Sequence, residues 1–199
     1  MISSQDMGIL EVKSGISRIN LMENAGRAVY QAIKQKFDLK DKKILVVCHH
    51  GNNGGDGFVA ARYLCDEAET DVLFIGDENK LKKEAAANFK KIGHNEKIQF
   101  LVDDKVDFDE YDILVDAILG IGIQGRLNRE ISAIIDDMNN SKAYRVSVDI
   151  PTGIDPDTGN VIDKCVNADL IVTFHDLKKG LEKLQDKVVV ADIGLPKQE

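Results

Sequence analysis

Two kinds of apolar pattern alternate along the chain. Short, nearly unbroken apolar runs are separated by longer stretches in which apolar residues recur every three or four positions. The first 38 residues carry only the second kind. Leu21, Ala25, Ala28, Val29, Ala32, Ile33 and Phe37 fall on one helical face, and Asn20 followed by Glu23 has the form of a capping box that would start the helix. That face could cover a sheet or meet another subunit. Lys43–Cys48 is the first β-branched run, followed by helical spacing from Phe58 to about Glu67. Further strands are predicted at 72–75, 98–102, 112–115, 145–148, 170–174 and 187–191. Helices are predicted around Leu81, Ala85, Phe89 and Ile92, stopping at Gly93, and around Ile131, Ile134, Ile135 and Met138. Continuous apolar strands need cover on both faces. Their alternation with helices predicts a doubly wound, mainly parallel sheet in a three-layer α/β/α sandwich with right-handed crossovers.

Length and charge narrow the picture. A chain of 199 residues suits one domain with a buried core. It carries 34 acidic against 26 basic residues, net −8, which argues against a nucleic-acid partner recognised through its phosphates. Lys82-Lys83 and Lys90-Lys91 read as solvated helix faces. Cys48, Cys65 and Cys165 are widely spaced and lack a C-x-x-C pair, so neither a disulfide framework nor zinc is expected, and a reducing cytoplasm fits. No apolar run reaches the roughly 20 residues that span a bilayer, and no basic-then-apolar leader opens the chain.

Ligands of open α/β sheets sit beyond the carboxyl ends of the strands, near a topological switch point. Three polar clusters start at such ends. The first, Gly51-Asn52-Asn53-Gly54-Gly55-Asp56-Gly57, has four glycines in seven residues. Read as a glycine-rich turn opening a helix, it offers bare N–H groups to an anion. The blander reading is a turn in which Asp56 caps the next helix. The second cluster runs from Asp116 through Gly120-Ile121-Gly122-Ile123-Gln124-Gly125-Arg126, and the third from Asp149 through Pro151-Thr152-Gly153 to Asp155. Arg126 has the fork geometry for phosphate but is also an ordinary surface residue. Asn53, Asp116 and Thr152 are hard oxygen donors suited to a group 1 or 2 cation.

His49 and His50 adjoin the first cluster. Neighbours on an extended segment point to opposite sides, so they are not expected to act as a pair, and a structural or ligand-lining role is favoured. His175 ends a strand at the same edge, and His94 sits in a polar turn. No Lys-Ser or Lys-Thr follows the glycines, which argues against a Walker-type kinase. Gly55-x-Gly57-x-x-Ala60 with Asp77 about 20 residues on matches the dinucleotide fingerprint, but later after the strand than that fingerprint normally falls.

Taken together, Leu21-Met22-Glu23-Asn24-Ala25-Gly26-Arg27-Ala28, the Gly51–Gly57 cluster with Ala60-Ala61-Arg62, Val115–Gly120, Val148–Gly153 and Ala191–Pro196 resemble the YjeF N-terminal domain family, the NAD(P)H-hydrate epimerases. The resemblance implies a single Rossmann-like domain over 1–199, with a helical extension at 1–38 and an α/β core at 39–199. It also implies a homodimer and one potassium ion per subunit. The implied activity interconverts the R and S epimers of NADHX and NADPHX, the reduced nicotinamides hydrated at C6. By motif, Asn52, Asn53, Gly54, Gly55 and Asp56 would contact the hydrated nucleotide, as would Gly120, Ile121, Gly122, Ile123, Gln124, Gly125, Arg126 and Asp149. Asn53, Asp116 and Thr152 would hold potassium, and Asp149 is the expected acid/base.

The sequence departs from the family at His49-His50, where a small residue and proline are usual, at Thr152 for Ser, and at Ile121 for a frequent Thr. Many bacterial members of the family continue into a dehydratase domain. The sequence ends at Glu199, so epimerisation alone is expected, with dehydration left to a separate protein. Two other readings stand beside this one: a conventional NAD(P)-dependent oxidoreductase with Asp77 on a ribose, and a nucleotide-binding scaffold without turnover.

Overall fold

The computed structural model describes residues 1–101, 106–122 and 125–196. Helices α1 (Ser4–Lys13) and α2 (Arg18–Lys36) precede β1 (Lys43–Cys48). Then follow α3 (Asn52–Leu64), β2 (Glu69–Phe74), α4 (Lys83–Gly93), β3 (Ile98–Leu101), β4 (Ile113–Ala117), α5 (Arg129–Asn140), β5 (Tyr144–Val148), β6 (Leu170–Phe174) and β7 (Val188–Ala191), the last after 3-10 turns at Lys179–Lys187. The seven strands pair in the order β3-β2-β1-β4-β5-β6-β7. Every pairing between these strands is parallel. The order reverses direction between β1 and β4, so the crevice between their carboxyl ends is the switch point.

The period of two within each strand divides the core. Ile44, Val46 and Cys48 of β1 face a core shared with Val29, Ile33, Phe58 and Leu64 of α2 and α3. Leu45 and Val47 face the other way, onto Ile131, Ile135 and Met138 of α5. The α2 face therefore covers the sheet, which answers the choice the sequence left open. Complete burial of β1 residues 44–48 explains why that strand reads as one apolar run. The edge strand β7 is the exception, with Val189 and Val190 exposed because few elements flank an edge.

Several boundaries differ from expectation. Helix α2 is capped by Ser17, whose hydroxyl accepts from the Asn20 N–H, so Asn20 lies inside the helix and is not its cap. Ser competes well with Asn as a cap, and the buried face still begins at Leu21. Strand β2 starts at Glu69, earlier than its apolar run, because parallel pairing with β1 from Lys43 onward enrols polar residues too. Strand β4 runs on to Ala117, so Asp116 is held within the sheet between Val47 and Ser147. Val102, the expected end of β3, lies outside the described residues. The largest shift is at α3, which begins at Asn52, six residues before the expected start at Phe58.

Candidate active site at the β1–β4 switch point

The early start of α3 changes the meaning of its glycines. Gly51 caps the helix in an extended conformation and its carbonyl accepts from the Gly55 N–H at 3.2 Å, so Asn52–Gly57 are the first turns of a helix. A Cβ on Gly54 would lie 1.7 Å from the His49 carbonyl oxygen, and one on Gly57 would lie 2.4 Å from the Ala117 Cβ. The glycines are there so that the helix start can press against β1 and β4. Across the other side, a Cβ on Gly26 of α2 would meet Val59 at 2.4 Å. This close seating projects Asn52, Asn53 and Asp56 over the carboxyl edge of the sheet, where all three line a cleft of about 240 Å³.

Ile118–Gly122, following β4, line the same cleft, as does Asp149 after β5. Of the expected nucleotide-binding residues, Gly54 and Gly55 are buried in the helix start, where a Cβ on Gly55 would strike Met22. Gly125 and Arg126 are exposed and outside the cleft lining, while Ile123 and Gln124 lie outside the described residues. Two larger cavities exist, about 600 Å³ beside Leu73, Phe108 and Ile134, and about 410 Å³ beside Ile154, Ile171 and Lys187. Neither reaches Asp116 or Asp149, so chemistry and not volume identifies the site.

Asp116 is fully buried. Its carboxylate accepts from the Ser147 hydroxyl (2.8 Å), the Thr152 N–H (2.8 Å), the Thr152 hydroxyl (2.6 Å) and the Ile118 N–H (3.3 Å). Burial pushes its pKa up, and the hydrogen bonds from Thr152 and Ser147 oppose the shift. Thr152 Oγ1 also accepts from the Leu119 N–H at 3.0 Å and lies 3.2 Å from the Leu119 carbonyl oxygen. Its single proton cannot serve both Asp116 and that carbonyl. The Asp116 carboxylate thus accepts from four protein donors, and the Leu119 carbonyl is the oxygen that the Thr152 proton leaves over. Asn53 is nearly buried, and its side-chain nitrogen has no hydrogen-bond partner among the described residues. An Asn amide reverses its oxygen and nitrogen at little steric cost. Asn53, Asp116 and Thr152 are hard oxygen donors of the kind a group 1 or 2 cation takes, and Asp116 and Thr152 are in direct contact.

Asp149 is aimed by strained backbone. Its φ is 65°, and the Ile150 N–H reaches back to the Val148 carbonyl at 2.8 Å, a γ-turn of the uncommon hand. Adjacent strand β6 ends identically, with His175 at φ 68° and the Asp176 N–H on the Phe174 carbonyl at 2.8 Å. The second turn brings Lys178 beneath Asp149. Lys178 is fully buried, with Nζ 2.8 Å from Asp149 Oδ1 and 2.7 Å from the Phe174 carbonyl oxygen. The Thr173 hydroxyl donates to the same carboxylate oxygen at 3.2 Å.

Lys178, the buried partner of Asp149, is not legible in the sequence, because one lysine of a Lys-Lys-Gly run looks like surface. Glu11 of α1, which also lines the cleft, was missed too. Burial, then the charges of Asp149 and Glu11, push the Asp56 carboxyl well up, with Lys178 opposing. Glu11 is raised by burial and Asp149.

His49 and His50 pack on each other beside the start of α3. Their rings are in contact, 3.7 Å between centroids, and not on opposite sides. The reason is that β1 stops at Cys48, so His49 and His50 leave the pleat and curl into α3. Burial, aided by the His50 charge, lowers the His49 pKa to about 4. His50 Nδ1 accepts from the Asp77 N–H at 3.2 Å. Asp77 itself caps a short turn through the Asn79 N–H. Gly55, Gly57 and Ala60 lie inside a helix, so the dinucleotide fingerprint lacks its strand–turn–helix setting. Asp155 likewise closes a local turn on Thr158.

A family profile for YjeF-related protein N-termini matches residues 18–180. A bifunctional NAD(P)H-hydrate repair enzyme of Methanothermobacter thermautotrophicus is 40% identical over 96% of this chain. The chain spans only 40% of that relative's length. An NAD(P)H-hydrate epimerase of Oenococcus oeni is 37% identical, covering 92% of this chain and 89% of its own. The crystal structure of a yeast protein superposes with a TM-score of 0.84 at 24% identity, over 96% of this chain and 86% of the yeast chain, which establishes the same fold. With its glycine-started helix, its two strand-end aspartates and these matches, the chain belongs to the family of YjeF-related protein N-termini.

Proposed function

We propose that the cleft interconverts the R and S epimers of NADHX and NADPHX. The observation that carries this reading is Asp149, turned into the cleft by a γ-turn, clamped by buried Lys178, and lining the same cavity as Asn52, Asn53 and Asp56. The names of the relatives support it, since one that the chain nearly spans is an NAD(P)H-hydrate epimerase. In the substrate C6 bears a hydroxyl and the ring nitrogen. Loss of that hydroxyl leaves an iminium stabilised by the nitrogen, and water returning to the other face inverts the centre. An acid/base group beside C6 is required, and Asp149 fills that role.

Asn52 and Asp56 hold the nucleotide from α3, and the loop from Gly120 to Arg126 holds it from β4. Asn53, Asp116 and Thr152 hold one potassium ion, which supplies positive charge beside buried Asp116 and fixes the loops that carry the substrate contacts. The protein acts as a homodimer in a reducing cytoplasm. The test is to incubate purified (R)-NADHX with the protein in potassium buffer and follow the S epimer by chromatography. A rate proportional to protein concentration, with no change in redox state at the nicotinamide absorbance band, is expected. Conversion no faster than without protein would overturn the proposal.

A further inference from the structure

Glu11 belongs to no set of residues carried over by motif, yet it stands at the junction of two cavities. It lines the main cleft together with Asp149 and Asp56. It also lines a smaller recess of about 60 Å³ with Asn52, Asp56 and Phe174. The carboxylate forms no hydrogen bond among the described residues and is half-buried. Its helix is anchored to the segment that carries Lys178. The Ile2 N–H donates to the Leu177 carbonyl at 2.9 Å, and the Lys179 N–H donates to the Ile2 carbonyl at 3.3 Å. The strand-end turn that seats Lys178 under Asp149 therefore also seats α1 over the cleft.

We infer that Glu11 is the second acid-base group at the reacting carbon, meeting the C6 hydroxyl from the α1 wall while Asp149 serves the sheet-edge wall. The inference rests on the epimerase reading. Inversion by loss and return of water needs a proton given on one side and taken on the other. Glu11 donates its proton to the C6 hydroxyl. The C–O bond breaks, its electron pair leaves with the departing water, and the ring nitrogen lone pair forms the C=N bond. A second water then adds to the opposite face of C6, the C=N pair returns to nitrogen, and Asp149 takes the proton. No oxidant or reductant is consumed; the reverse direction exchanges the two roles, and proton exchange with solvent water returns Glu11 to its acid form and Asp149 to its carboxylate after each turnover.

The surroundings of Glu11 suit a donor. Asp149 faces it as a like charge, while Arg18, Lys178 and Lys82 oppose that effect, and Asp56, whose own carboxyl is pushed well up, lines the same cleft. Burial followed by Asp149 raises its pKa, which keeps the proton on Glu11 at higher pH than on an ordinary glutamate. Asp149, paired with Lys178 at 2.8 Å, is the second carboxyl lining the cleft. Two carboxyl groups in unlike environments are the usual way a site obtains both an acid and a base.

The test uses Glu11→Gln and Glu11→Asp in the full chain. For E11Q the expected kcat loss is at least about 100-fold, with KM within about threefold of wild type and the melting temperature unchanged. The alkaline limb of the wild-type kcat/KM profile, set by Glu11 losing its proton, should vanish from the residual E11Q activity. E11D should recover part of kcat with that limb displaced, a readout that stands even if E11Q folds poorly. E11Q activity within about threefold of wild type, or a loss with the alkaline limb unmoved, overturns the inference while leaving the epimerase reading in place. A wild-type protein that does not epimerise removes both.

Discussion

Lys178→Met isolates the contact on which the proposed chemistry depends. Its ammonium is fully buried, and its carboxylate partner Asp149 is 10% exposed, with 2.8 Å between them. After the substitution only the Thr173 hydroxyl, at 3.2 Å, still bonds the Asp149 side chain among the described residues. Removing one partner of a buried pair leaves the other charge uncompensated and costs about 3–5 kcal/mol. Each kcal/mol moves the melting temperature of a chain this size by about 2–4 °C, so the drop should be roughly 6–20 °C. Met approximates the volume and flexibility of the lysine stem, which keeps cavity formation small.

The double variant Lys178→Met with Asp149→Asn removes both charges and should recover much of the loss, with a coupling energy of about 2 kcal/mol or more. Urea unfolding of the four proteins in that cycle measures it. As a control, Lys97→Met breaks the exposed pair with Asp66 and should leave the unfolding midpoint unchanged. A K178M protein within about 1 kcal/mol of wild type would mean that the pair is solvated in solution, and the argument that Lys178 fixes Asp149 would fail.

Three further outcomes follow from the same geometry. Gly26→Ala should force α2 from α3, because its Cβ would lie 2.4 Å from Val59 Cβ; overpacking of this kind costs about 1–3 kcal/mol, read by urea unfolding. Asp56→Asn should flatten part of the pH dependence of stability. The Asp56 pKa is raised above its ordinary 3.8, so the unfolded chain releases this proton first and wild-type stability falls as pH rises beyond that value. The variant should therefore match wild type near pH 3 and exceed it at neutral pH, in melts across the range. His49 shows the opposite sign of protonation, since its folded pKa of about 4 lies below 6.5 and stability is lost as pH falls between them. His49→Gln should remove that loss, and its imidazole NMR signal in wild type should not titrate between pH 7 and 5.

What the sequence revealed divides along physical lines. Strands β1, β4, β5 and β6 were legible because burial on both faces demands an unbroken apolar run, and β6 was read to the residue at Leu170–Phe174. The positions of Asp116 and Asp149 at the carboxyl edge were legible for the same reason, since both interrupt such runs. The start of α3 was not. Asn and Gly are poor helix formers, and only the close approach of Gly54 and Gly57 to β1 and β4 makes a helix there worth its entropy. Lys178 and Glu11 were hidden because their burial comes from tertiary docking. Nothing in Leu177-Lys178-Lys179 or in α1 distinguishes them locally. The histidine pair was misjudged because the strand ends one residue before His49.

The potassium proposal has its own discriminating pair. Thr152→Ser keeps the hydroxyl that bonds Asp116 at 2.6 Å and should keep stimulation by potassium, whereas Thr152→Val removes it and should abolish that stimulation. Epimerisation assayed in potassium and in a large organic cation makes the comparison. Equal potassium dependence in both variants would remove Thr152 from the donor set.

The central claim is that this cleft inverts a hydrated nicotinamide through Asp149. Its most direct test is the initial rate at which (S)-NADHX appears from pure (R)-NADHX, measured for wild type and Asp149→Asn at equal nucleotide occupancy. The account predicts catalysis by wild type that falls by at least about 100-fold in D149N, the scale of a lost acid/base group. Equal rates in the two proteins, or a wild-type rate indistinguishable from the uncatalysed one, would contradict it.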